Sequence, residues 1–180
     1  MTGWLTRLGA RARAKWRDEQ GNSTIEFIIV FPVFLTLLCS AAESGTLMVR
    51  QVMLDRGLDI TVRALRLNTW TQVTQDNVRT MLCDSVLAIP NCTGSVLIEM
   101  TRIPAGGTLP SSNATCVERG ATVTPTVSFS QGGENDLMLI RACAKFDPVL
   151  PTIGLGLDLS KDAQGDYALV STSAFVVEPR

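Results

Sequence analysis

The stretch GNSTIEFIIVFPVFLTLLCSAAES, residues 21–44, decides the fold. From Phe27 to Ala42 it carries no charge, and a glutamate stands at each side, Glu26 and Glu43. Gly21 lies five residues before the first of them. A bilayer core is about 30 Å thick and takes roughly 20 residues of helix. The charge-free run alone is short, but continued through Glu43 to Val49 it is long enough to span with some tilt. A cleaved secretory signal would have a shorter apolar core, ~7–15 residues, and a cut site after it. A buried core helix of a soluble protein is seldom so uniformly apolar. A membrane span over residues 22–49 is therefore predicted.

Outward from this stretch the periodicity changes. Leu47, Gln51, Leu54, Leu58, Val62 and Leu65 recur every three to four residues, one stripe of a helix. Arg50, Arg56, Asp59, Arg63 and Arg66 are expected to fall largely off it. One helix of about 45 residues, roughly 65 Å long, is expected. Its first half lies in lipid, and its continuation over residues 50–68 packs on a soluble domain. Gly57 interrupts the pattern at a cost of ~1 kcal/mol against alanine. Thr74 is placed to cap a second helix running to Ala88, with Val78, Met81, Leu82 and Val86 inward.

Strand signals follow at 96–101, weakly at 122–130, then at Leu137–Phe146 and Tyr167–Val177. In the first, Val96, Ile98 and Met100 alternate with Leu97, Glu99 and Thr101. Residues 104–115 read as a loop, QGGEND as a turn, and TIGLGL after Pro151 as a short helix or apolar loop. Helices first and strands after argue an α+β fold. It comprises a long transmembrane and amphipathic helix, then a small antiparallel sheet domain over residues 69–180 with one short helix.

Charge and cysteines set the surroundings. The 180 residues carry a net charge of -1, which argues against nucleic-acid binding. Yet Arg7, Arg11, Arg13, Lys15 and Arg17 crowd into residues 1–21 against only Asp18 and Glu19. The positive-inside rule puts that basic head in the cytoplasm and the body outside. Cys83, Cys92, Cys116 and Cys143 all follow the span, an even number that fits two disulfides in an oxidising compartment. Cys83–Cys92 would tie the second helix to the first strand, and Cys116–Cys143 the long loop to the central strand. Three connectivities remain open. Cys39, inside the span, reads as a small apolar residue. The chain has no histidine, so neither the usual nucleophile–base pair nor a common metal site can be built, and no cofactor is implied.

Glu26 has a local explanation and a wider one. In a capping box Ser23 is the N-cap and Glu26 reaches back to its amide. A basic leader, a glycine, a glutamate five residues on and an apolar helix also resemble a prepilin. Cleavage after Gly21 would leave Asn22 as the new amino terminus, and its amine is a natural partner for a carboxylate at membrane depth.

The resemblance extends over roughly residues 15–68. Gly21, Glu26–Phe27, the early Pro32 and Glu43–Gly45 resemble the start of the TadE family, minor pseudopilins of tight-adherence pili. The closing SAFVVEPR is similar to the E-P ending of such proteins. The resemblance implies a pilin-like, non-enzymatic protein of a bacterial inner membrane, with its domain periplasmic or extracellular. It implies a prepilin peptidase, other pilins and an inner-membrane assembly platform as partners, besides lipid. The role is minor rather than major, because the major subunits it resembles are little more than the helix.

An uncleaved single-span anchor presenting a binding or sensor domain is the alternative. A secretion pseudopilin would show a longer unbroken apolar run. Ser40, Ala41, Ser44 and Gly45 are small enough to let membrane helices approach, and with Glu43 form a candidate interface. Glu43 itself reads as a solvated end at the outer headgroups or as a second partner group. Pro32 removes one backbone donor and is expected to kink the helix, and Thr36 is placed to satisfy the freed carbonyl.

Overall fold

A computed structural model describes residues 22–67, 70, 72–87, 89–104, 106–108, 114–119 and 125–179. The basic leader and Gly21, hence the glycine side of the expected cut, lie outside them, as does Ala88. The first element is helix α1, Asn22–Arg66, 45 residues without a break. It has two unlike halves. Every residue from Ser23 to Leu38 is exposed, and an 18-residue window of this half has a mean hydropathy of 2.3 with none of it buried. Farther on, Leu54, Leu58, Val62 and Leu65 are buried, the stripe that the periodicity predicts. Leu47 and Gln51 are half-buried at its start.

Two local expectations at the apolar end change. Ser23 lies inside the helix rather than at its N-cap, so it does not form the cap of a capping box. Thr36 donates its hydroxyl to Pro32 O at 2.5 Å and to Val33 O at 3.1 Å. The carbonyl that Pro32 leaves without its usual donor is that of Ile28, four residues before it, so Thr36 does not replace the missing bond. The helix nonetheless continues through Pro32.

Helix α2, Gln75–Asp84, starts where expected: Thr74 Oγ1 accepts from the Asn77 amide at 3.2 Å. It stops four residues early. Val78 and Leu82 face the core from the helix, Met81 is only half-buried, and Val86 and Ile89 reach the core from the turn beyond it. A short helix α3, Cys92–Ser95, which the sequence reading lacks, leads into strand β1, Val96–Arg102. Strand β2, Leu137–Phe146, short helix α4, Leu155–Asp158, and strand β3, Tyr167–Val176, complete the order.

The three strands form an antiparallel sheet in the order β1-β2-β3, and the fold is α+β. Val96, Ile98, Met100, Met138, Ile140, Ala142 and Ala144 turn one face to the helices. On the other face Leu97, Glu99, Leu139 and Cys143 are buried as well, whereas Ala168, Val170, Thr172, Ala174 and Val176 of β3 are exposed. The weak 122–130 segment proves to be extended chain over its described part, bridged to the β1 edge through Met100 and Phe129. Over the second face itself Val117 is buried, Cys116 is bonded to Cys143, and Thr115 donates its amide to Glu99 Oε1 at 2.9 Å. Glu99 also pairs with Arg141, its cross-strand partner, at 2.7 Å. The cysteines form Cys83–Cys92 and Cys116–Cys143, leaving Cys39 free.

Candidate functional site

Glu26 and Phe27 project from the exposed half of α1, Phe27 stacking on Phe31 with ring centroids 4.9 Å apart. Among the described residues none pairs with the Glu26 carboxylate. Asn22 is the first residue of the helix.

The proposed interface at Ser40–Gly45 is split by the chain's own fold. Glu43 is 1% exposed. Its Oε1 accepts from the Val149 amide at 3.1 Å and its Oε2 from the Leu150 amide at 2.9 Å. It is therefore not a solvated end. A carboxylate without water is held by charge-assisted bonds from backbone donors. One turn toward the amino end, Ser40 Oγ donates to Thr36 O at 2.8 Å and accepts from the Leu155 amide at 3.1 Å. Gly154, with φ +59°, lies so close that an added Cβ would sit 2.2 Å from Ser40 Oγ. The loop Pro148–Leu159 thus clasps α1 by its backbone. Ala41 and Gly45 stay exposed on other sides of the helix, and Ser44 is half-buried. Sequence reasoning missed the loop because backbone amides have no residue signature, although positive φ at Gly154 accounts for a glycine there.

Above the clasp lies a layer of charge. Arg50 donates to Asp147 O at 3.0 Å and Tyr167 Oη at 2.6 Å, with its guanidinium 4.9 Å from the Phe146 ring centroid. Arg119 bridges Asp147 at 2.6 Å and Asp166 at 2.9 Å. Lys145 pairs with Asp162 at 2.6 Å. Burial pushes the Asp147 carboxyl up, but its backbone hydrogen bond, the Arg119 guanidinium and the charge of Arg50 outweigh that and hold it below its usual value. Asp162 is held low first by the Lys145 ammonium, then by the Asp166 and Gln164 amides. Burial raises the Tyr167 phenol, opposed by Arg50. At the far end of α1 the tail closes on the helix: Glu178 donates its amide to Arg66 O at 3.0 Å and pairs its carboxylate with Arg66 at 2.9 Å. A helix ends with carbonyls lacking partners, and this tail satisfies one.

No group of acidic, cysteine or histidine side chains suited to a metal occurs among the described residues. Residues 21–63 match the family of TadE-like proteins. The long first helix is TadE-like. The match spans the exposed half of α1, the clasp residues Ser40 and Glu43, and most of the buried stripe. The sheet and the loop lie outside it. No curated protein and no solved structure matches the chain. The single apolar helix of the TadE-like segment is consistent with an inner-membrane anchor.

Proposed function

We propose that this chain is a minor pilin or pseudopilin, made as a precursor, cut after Gly21 by a prepilin peptidase, and used in assembling a tight-adherence pilus for surface attachment. The observation that carries the reading is one ordered set: Gly21, Glu26, an exposed apolar helix and a TadE-like match beginning at residue 21. Cleavage places a cationic amine on Asn22, four residues before Glu26. A carboxylate at membrane depth is costly unless paired, and the amine of the same or a neighbouring subunit supplies the pair. The pairing favours a bundle of helices over a lone helix in lipid. The basic leader stays cytoplasmic and the disulfide-bonded domain lies outside, where it primes assembly or joins the filament. Other pilins and the assembly platform are its partners.

Intact-mass measurement of membrane-extracted protein, with and without a prepilin peptidase, tests the cut. The expected result is loss of residues 1–21 only when the peptidase is present. Full-length mass in both cases would leave an anchored binding or sensor protein instead. Glu26→Ala is expected to be cut normally but to assemble poorly in a pull-down with partner pilins.

A further inference from the structure

We propose that residues 148–157 of the clasping loop are seated in the outer leaflet of the bilayer, as a lipid-facing wedge beside the span. The segment PVLPTIGLGL, residues 148–157, carries no charge and packs along α1 between Thr36 and Glu43, the end of the helix's own charge-free run. Glu43 lies seven residues beyond Thr36, so the loop reaches about 10 Å toward the membrane centre from the level of Glu43. That depth is typical of interfacial segments.

The loop's surface is the reverse of a soluble turn. Val149 is 55% exposed, Ile153 39% and Leu157 59%, and Leu37 and Leu38 in the same stretch of α1 are exposed too. Five of the eight amides in residues 148–157 are met within the protein, while Thr152 stays exposed. Irregular backbone in lipid must have its donors satisfied within the protein. Here the Val149 and Leu150 amides go to Glu43, the Leu155 amide to Ser40, the Ile153 amide to Leu150 O and the Leu157 amide to Gly154 O. Pro148 and Pro151 have no amide to satisfy. Lys161 stands at the neck of the loop, its ammonium donating to Gly156 O at 2.7 Å and Pro151 O at 3.4 Å. The ion pairs of Asp147, Arg119, Asp166, Lys145 and Asp162 begin immediately above. Charge therefore gives way to apolar surface between Asp147 and Val149 on the way in and returns at the exposed Asp158 on the way out, at the height where a headgroup region meets hydrocarbon. Glu43 fits the same picture: its carboxylate lies at that boundary and is sheathed by the amides of the loop.

The proposal rests on α1 crossing a bilayer and not on the pilus role. It is tested with the full chain, carrying Cys39→Ala, in vesicles of phosphatidylethanolamine and phosphatidylglycerol. Single nitroxides are placed through Ile153→Cys, Leu157→Cys, Leu37→Cys in the span, and Leu87→Cys, which is 95% exposed on the domain. Mass spectrometry confirms that both native disulfides are intact in each variant. The readout is accessibility to dissolved oxygen against a water-soluble nickel chelate. The expected oxygen-to-nickel ratio at 153 and 157 is several-fold above that at 87 and close to that at 37. A lipid-like ratio at 37 with a water-like one at 153 and 157 overturns the wedge alone. Protection of 153 and 157 from both reagents overturns it in favour of a protein occupant such as a second copy. A water-like ratio at 37 overturns the span and the wedge together.

Discussion

Two carboxylates bracket the charge-free run, and their surroundings differ. Glu26 stands exposed on the bare half of α1, whereas Glu43 is enclosed and accepts two backbone amides. The exposed setting of the first was readable from the charge-free run that follows it. The second was not, because its donors come from 106 and 107 residues away and are carried by Val149 and Leu150, whose side chains give no hint of it. Glu43→Ala strands both amides and is expected to cost about 3 kcal/mol. Glu43→Gln keeps an acceptor oxygen and should lose about half as much. Thermal unfolding of the detergent-solubilised monomer separates this from a role in subunit contacts, which would leave the monomer's melting point unchanged.

Asp162 gives a pH prediction at the same scale. Its folded pKa is depressed by Lys145 and backbone amides, so its contribution is complete above the unfolded value of about 3.9 and is lost as pH falls through the lower folded value. Denaturant titrations should show stability falling below about pH 4, with a shallower fall in Asp162→Asn.

Among the elements, α1 and β2 were the most legible, for opposite reasons. The helix announces itself by a long apolar run followed by a 3.6-residue stripe. The strand has a strongly buried run, bounded by the QGGEND turn and by Pro148. Helix α2 was over-extended because Val86 keeps the helical spacing of buried residues while belonging to the turn after it. The second buried face of β1 was unreadable because Leu97 and Glu99 are covered by a segment whose contact depends on Cys116–Cys143. Gly57 shows how packing can reverse a propensity argument. An added Cβ there would lie 2.4 Å from Val86 Cγ2 and 3.3 Å from Leu82 O. Alanine gains ~1 kcal/mol in helix propensity, but wedging α1 away from the chain after α2 should outweigh that. Gly57→Ala is expected to destabilise by about 1–3 kcal/mol net, read from urea unfolding.

At the scale of the molecule, the order of helices and strands was sufficient for the α+β class, while the clasp was not visible because it joins two segments through main chain alone. The cysteine pairing was one of three arrangements compatible with the sequence. The two bridges close segments of different length, with sequence separations of 9 and 27. On chain entropy the shorter should contribute about 2.5 kcal/mol and the longer about 3.5 kcal/mol. Double serine variants of each pair, compared by denaturant midpoint, should therefore rank with Cys116/Cys143 as the larger loss.

The unbroken course of α1 has a mechanical outcome. Between its bare half and its packed half there is no slack chain to stretch or swivel. A pull along the greasy end is delivered directly to the side chains wedged against the sheet. Withdrawing the rod from whatever holds its bare half must lift the domain with it, as a bolt lifts the plate to which it is fastened.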